Sequence, residues 1–270
     1  MKKIIILIAV LALVTLPAFA RKGNKITISG STTVLPIAQA TAEIFMDLNP
    51  DVNISVRGGG SSVGIASIMA GTVDIGNASR HIKAKELASA RENGVNPYEN
   101  VVANDGIAIV IHKNNPVKDL TLEQIKDIYT GKISNWKEVG GPAMQIVVIS
   151  RDVSSGTFEV FNKKVLNNAK CIGGALMLAS NNAVVSTIAG TPGAIGYAGL
   201  GYVNKTVNAV KVNGIAASKQ TVQNKTYPIA RTLHMYTNGA PKGLVKEYID
   251  FILSSEGQKI VEEQGFISVK

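Results

Sequence analysis

Short apolar runs of strand length alternate with stretches of helical period along nearly the whole chain, the order expected of an α/β protein. Ile26-Thr27-Ile28-Ser29 alternates as a strand, and Val34, Ala38, Thr41, Phe45 and Leu48 mark one face of the helix after it. Asn49-Pro50-Asp51 stops that helix, and Val52, Ile54 and Val56 alternate as a second strand. A short helix carries Val63, Ile65, Ile68 and Met69, and Val73 to Gly76 is a third strand. Lys83 to Glu92 reads as a polar helix, with strands at Val101-Val102 and Gly106 to Ile111, the second apolar throughout as a buried strand would be. Leu120 to Tyr129 is helical, Ile146 to Ser150 is a strand, and Phe158 to Leu166 and Asn181 to Ala189 are helical. Strands are expected at Ala194 to Tyr197, Thr206 to Val212, Thr226 to Ile229 and Thr232 to Thr237. The tail reads as two helices, Lys242 to Leu253 and Glu256 to Glu263, the second opened by a capping box of Ser255 and Gln258.

The chemistry lies where strands hand over to helices. The strand ending at Arg151 passes through Ser154-Ser155-Gly156-Thr157 into a helix, and Gly30-Ser31-Thr32-Thr33 repeats that construction near the N-terminus. First-turn amides lack intrahelical acceptors and lie at the positive end of the macrodipole, so such turns favour anions. Arg151 adds a planar fork suited to two oxygens of one oxyanion. Gly58-Gly59-Gly60-Ser61-Ser62 lets the backbone come close to a ligand. It is neither a nucleotide-hydrolase loop, since no lysine follows, nor a dinucleotide fingerprint, whose third glycine would fall at Val63. Ligands of open α/β sheets sit beyond the carboxyl ends of strands, which places Ser79 and Arg80 beside these turns. Asp74, inside its strand, is expected to serve structure, and Trp136 to pack against its own lobe. Two anion-type turns in one chain suggest a two-lobed clamp.

The first residues narrow the compartment. Lys2 and Lys3, the apolar run Ile4 to Leu16 and Ala18-Phe19-Ala20 have the plan of a cleaved secretory signal over residues 1–20, with no cysteine after it for a lipid anchor. A periplasmic location follows. Among 270 residues Cys171 is the one cysteine, expected as a small buried hydrophobe, which excludes an intramolecular disulfide. The formal charge of +9 falls to +7 once Lys2 and Lys3 leave with the leader. The remaining basic residues form no stripe with aromatics, which argues against nucleic acid and suits a small anion. His81, His112 and His234 have neither metal-ligand spacing nor a carboxylate partner evident in sequence, and no G-x-S-x-G elbow occurs. No metal, cofactor or catalytic residue is expected, and a secreted hydrolase or phosphatase is the remote alternative.

Several stretches together resemble the phosphate-binding proteins of bacterial phosphate ABC transporters, the PstS-type family of periplasmic binding proteins. They are Gly30 to Pro36, Gly58 to Gly64, Val73 to Gly76 and Arg151 to Thr157. The stretches around Asp105 to Ala108, Ile133 to Trp136 and Gly193 to Tyr197 are also similar. The resemblance implies an α/β, two-lobed periplasmic-binding-protein fold of type II-like plan, with two crossover strands and a central cleft. Lobe 1 would span 25–105, completed by 238–270; lobe 2 would span 113–232; the crossovers would be 106–112 and 233–237. It implies a monomer that binds inorganic phosphate, delivers it to membrane ABC permease subunits and is not an enzyme. Carried over, Thr32 and Ser61 would offer hydroxyls, Thr33 and Ser61 amides, Arg151 its guanidinium, and Ser155, Gly156 and Thr157 the opposite wall. Some members carry an aspartate where this chain has Ser79, followed by Arg80. A hydroxyl repels sulfate less than a carboxylate does, so weaker phosphate-over-sulfate discrimination is expected. Sulfate or molybdate remains the alternative ligand.

Overall fold

The computed structural model describes residues 24–270; the expected signal, residues 1–20, lies outside them. The first third is a βαβαβα unit: β1 (Lys25–Gly30), α1 (Leu35–Leu48), β2 (Asn53–Gly58), α2 (Ser61–Met69), β3 (Ile75–Ala78) and α3 (Ala84–Glu92). β4 (Pro97–His112) leads into β5 (Asp119–Leu120), α4 (Leu122–Thr130), β6 (Val147–Arg151), α5 (Gly156–Phe161), β7 (Leu176–Leu178), α6 (Asn181–Ala189), β8 (Ala194–Gly199), β9 (Val207–Val212) and α7 (Lys219–Gln223). β10 (Ala230–Asn238), α8 (Gly243–Leu253) and α9 (Ser255–Glu263) close the chain. The sheet runs β2-β1-β3-β10-β4-β8-β6-β7, with β9 beside β4 and β5 beside β9.

β1, β2 and β3 pair in parallel, as do β6, β7 and β8, so each set directs its carboxyl ends and helix-opening turns the same way. Between the sets lie β4 and β10, antiparallel to each other. β4 pairs β10 over its first part, up to Gly106, and β8 from Ile107 onward, so one strand serves both halves of a two-lobed fold. The sequence pattern, broken by Asn104-Asp105, suggests two strands there. Hydrogen bonding to β10 and then to β8 carries the strand through the polar pair, and Asn104 also bonds Ile267 across a bridge.

Two main cores flank this crossing. One joins β1, α1, α8 and α9 through Ile28, Phe45, Tyr248 and Val261, so the C-terminal helices pack on the N-terminal unit. The other gathers Ile109, Tyr129, Trp136, Phe161 and Tyr197 under α4, with Phe161 stacked on Tyr197 at 3.9 Å. Trp136 is buried within this core and donates from Nε1 to the Gly193 carbonyl at 2.9 Å. Asp74 accepts from the Thr27 amide at 2.7 Å and its hydroxyl at 2.8 Å, joining the chain before β3 to β1.

Local readings fail where a side chain finds a distant partner. Gln258 does not cap α9; its amide is buried and donates to the Val102 and Ile252 carbonyls, while Ser254 accepts from Gly257 as the cap. Thr226 to Ile229 is a turn, since Tyr227 is drawn inward and its hydroxyl donates to the Ile107 carbonyl at 2.8 Å. The helix begun by α5 widens into a π-turn over Asn162–Leu166. β7 and α7 have too few residues to show a period and were not anticipated. Cys171 is a half-buried free thiol that packs against the edge of the second core.

Candidate functional site

The turn after β1 is shaped by Ser31, whose hydroxyl accepts from the amides of Thr33 and Val34. This local cap takes the Thr33 amide, expected to meet the ligand, and leaves the Thr32 amide and the Thr32 and Thr33 side chains to face the other half. Across the gap, β6 ends in Arg151, and Ser155 caps α5 by accepting from the Phe158 amide at 3.2 Å. That role takes the Ser155 hydroxyl, while Gly156 and Thr157 supply first-turn amides with no intrahelical acceptor.

The arginine is held in a fixed pose. Nε donates to the Leu178 carbonyl at 3.0 Å, and one terminal nitrogen donates to the Ala179 carbonyl at 2.9 Å and to Thr32 Oγ1 at 3.2 Å. The other terminal nitrogen is buried without a partner, and no carboxylate lies within ion-pair distance of the guanidinium among the described residues. Burial, with Arg231's like charge and against Asp152's opposite one, pushes its pKa down to about 10, which leaves it charged at neutral pH. A buried guanidinium with an empty donor is costly unless an anion completes it.

The hydroxyl that it bonds, Thr32 Oγ1, belongs to a wider group that Asn181 joins to Thr33. Thr33 Oγ1 lies 3.0 Å from Thr157 Oγ1, and Ser61 Oγ lies 3.2 Å from Ser79 Oγ and accepts from the Ser79 amide at 2.9 Å. Thr32, Thr33, Ser61, Ser79, Arg151, Ser155 and Thr157 are all buried. Arg80 behaves differently. Its guanidinium pairs with Glu86 at 2.7 Å and Glu159 at 3.0 Å, so its charge is already neutralised outside the hydroxyl cluster. Burial works against both charges, yet Arg80's hydrogen bonds hold Glu86 below the usual carboxylate range. With Lys83, 2.8 Å from the same Glu159, Arg80 ties the loop after β3 to α5.

Three further residues complete the cluster and were not anticipated. Asn181, first residue of α6, donates to Thr33 Oγ1 at 3.0 Å and accepts from the Gly199 amide. Arg231 on β10 donates to Thr157 Oγ1 at 3.0 Å, to Thr33 Oγ1 at 3.3 Å and to the Ser79 carbonyl at 3.3 Å. Asp105 on β4, fully buried, takes two donors of Arg231 at 2.9 and 2.8 Å. Asn181 follows the helix cap Ser180, a signal that could have flagged it; nothing local marks Arg231, whose partners are all distant.

The two halves meet closely. The Ser62 amide donates to the Ser154 carbonyl at 3.0 Å, and Ser154 Oγ to the Gly59 carbonyl at 3.2 Å. Gly60 (φ +95°) has no room for a Cβ, which would fall 2.4 Å from Ser154 Oγ. Its freedom therefore admits the opposite turn as well as any ligand. A cleft of about 1410 Å³, lined by Arg80, Phe158, Glu159, Tyr227, Arg231 and His234 among others, runs beside the cluster.

One expectation about the histidines is corrected. His81 and His234, far apart in sequence, both reach the Glu99 carboxylate, because β3, β10 and β4 are neighbours in the sheet.

Over residues 17–256 the chain matches the PBP superfamily domain. It is 38% identical over 251 residues to the phosphate-binding protein PstS of Bacillus subtilis (strain 168), covering 92% of this chain and 82% of that protein. It is 34% identical to the phosphate-binding protein PstS of Borreliella burgdorferi over the full length of both. Among solved structures, a candidate phosphate ABC transporter substrate-binding protein from Clostridium perfringens, with bound phosphate, superposes with a TM-score of 0.85 at 44% identity. That match covers 91% of this chain and all of the other. With its βαβ halves, crossing strands and facing polar turns, the chain belongs to the PBP superfamily and, within it, to the PstS family of these relatives.

Proposed function

We propose that this protein is a non-enzymatic binder that closes on inorganic phosphate and hands it to a membrane ABC permease outside the cytoplasm. The observation that carries the reading is Arg151, buried, charged, held by two backbone carbonyls and left with one unpartnered terminal nitrogen amid hydroxyls from both halves. A tetrahedral oxyanion supplies the missing charge and acceptors. The amides of Thr32, Ser61, Gly156 and Thr157 and the hydroxyls of Thr32, Ser61 and Thr157 would complete its shell. Thr33, Asn181 and Arg231 hold those hydroxyls in place, and Arg80 acts as a latch through Glu159. The relatives named for phosphate support the choice of anion. Lobe 1 is assigned to 25–105 with 238–270, lobe 2 to 113–232, and the crossovers to 106–112 and 233–237.

Closure is driven by ligand contacts that exist only when both lobes engage. Thermal unfolding followed across an oxyanion series tests this: phosphate should raise Tm in a concentration-dependent way, whereas no shift with phosphate would overturn the reading. Ser79→Asp should lower the response to sulfate more than that to phosphate, because a carboxylate accepts a P–OH proton and repels an anion that has none. Equal losses for both anions would show that Ser79 does not face the ligand.

Closure also has a steric requirement. A Cβ on Gly156 would lie 2.3 Å from Ser61 Oγ and 2.8 Å from Ser79 Oγ, contacts that arise only across the closed interface. Gly156→Ala should therefore weaken phosphate binding by about five- to a hundredfold, the effect of roughly 1–3 kcal/mol of overpacking, while leaving the Tm of the ligand-free protein nearly unchanged. Calorimetric titration beside a melting curve separates the two effects.

A further inference from the structure

The loop after β3 and the two crossing strands bring together a second group of chemically capable side chains, outside the hydroxyl cluster. Glu99 Oε1 lies 2.9 Å from His81 Nδ1 and 3.1 Å from His234 Nδ1, and the three atoms fall within 4.8 Å of one another. Glu99 is on β4 and His234 on β10, where the register between these strands shifts at Leu233/His234. Such a bulge re-aims a side chain, and here it sets His234 and Tyr236 toward the same carboxylate.

We propose that His81, Glu99 and His234 form a binding site for a divalent transition-metal ion of the zinc class. His234 is fully buried, and its Nε2 lies 2.9 Å from Thr232 Oγ1. This is the outer partner that a ligating histidine uses to fix its ring and tautomer. Its Nδ1 makes no hydrogen bond of good geometry despite the nearby carboxylate. A lone pair is thus held inward, against a carboxylate oxygen and a second imidazole nitrogen, where a cation would satisfy all three. Tyr236 donates its hydroxyl to Glu99 and receives the Ile82 amide, orienting the carboxylate from behind.

The dimensions agree. Ligand atoms about 2.0–2.2 Å from a tetrahedral zinc are about 3.3–3.6 Å apart, a few tenths of an ångström wider than the 2.9 and 3.1 Å seen, so a small outward shift of the rings admits the ion. His81 is 71% exposed, so its ring can adjust and the fourth position opens to water. Two imidazoles and one carboxylate favour zinc, copper or nickel over magnesium and calcium, which take oxygen ligands. Since Arg80 adjoins His81, a bound metal would also stiffen the latch loop.

The test is calorimetric titration of the metal-free full chain with zinc chloride in phosphate-free, non-chelating buffer, with cobalt(II) absorption as a report on coordination. Binding of one equivalent and a tetrahedral cobalt spectrum are expected, with no response to magnesium. His81→Ala, a change at an exposed side chain, and Glu99→Gln, which keeps the shape, should each weaken binding by roughly tenfold or more and abolish the spectrum. His81→Ala should leave phosphate affinity intact. No zinc binding, or zinc binding that both variants leave unchanged, would overturn the site.

Discussion

Arg151→Met should weaken phosphate binding by about a hundredfold or more and abolish the thermal shift that phosphate produces. Among the described residues the guanidinium has no carboxylate within ion-pair distance, and it reaches the hydroxyl cluster through Thr32, so its removal deletes charge-assisted hydrogen bonds that nothing nearby replaces. Losing one side of a buried charged pair costs roughly 2–5 kcal/mol of binding. Arg151→Lys should recover little. Nε and one terminal nitrogen are tethered to the carbonyls of Leu178 and Ala179 so that the remaining donor faces the ligand, and a lysine cannot make both tethers and still reach inward. Because the wild-type guanidinium is unpaired without ligand, the methionine variant's ligand-free Tm should hold or rise. Calorimetry and a melting curve with and without phosphate check both parts, and a variant that kept near-native affinity would remove Arg151 from the site.

The second large effect falls on stability. Arg231→Met leaves Asp105 fully buried with only backbone donors such as the Leu200 amide, 2.9 Å away. Stranding a buried charge in this way costs about 3–5 kcal/mol, enough to lower Tm by roughly ten degrees in a chain of this size. Burial already holds the Asp105 carboxyl above its usual range, against Arg231's attraction, and without Arg231 it would rise further. An acid whose folded pKa is raised contributes its full share below its unfolded value, near 3.9, and loses it as pH climbs toward the folded value. The deficit of Arg231→Met should therefore be smallest in mild acid and grow toward neutral pH. Adding Asp105→Leu should restore much of the loss, since a buried pair can be exchanged for apolar groups more cheaply than it can be broken. Denaturant unfolding at several pH values would reveal this; a single variant as stable as wild type would mean that the pair is not buried in solution.

Much of this protein was determined by local sequence. Alternation and helical period located most strands and helices, because one-sided burial imposes a period on each element regardless of its neighbours. The turns at Gly30-Ser31-Thr32-Thr33, Gly58 to Ser62 and Ser154 to Thr157 were legible for a similar reason: glycine and hydroxyl residues before a helix carry their chemistry in the backbone. Tertiary structure decided what those turns face. It sent Arg80, a plausible ligand arginine by sequence, to Glu86 and Glu159, and chose Arg231, which has no local mark, to join Asp105 with the hydroxyls of both halves. It drew His81, Glu99 and His234 together through strand order and the bulge in β10, and turned Gln258 from a helix cap into a buried bridge between α9 and β4. Period and turn chemistry act over a few residues, whereas the partner of a buried charge or polar group is set by sheet order, which joins positions more than a hundred residues apart.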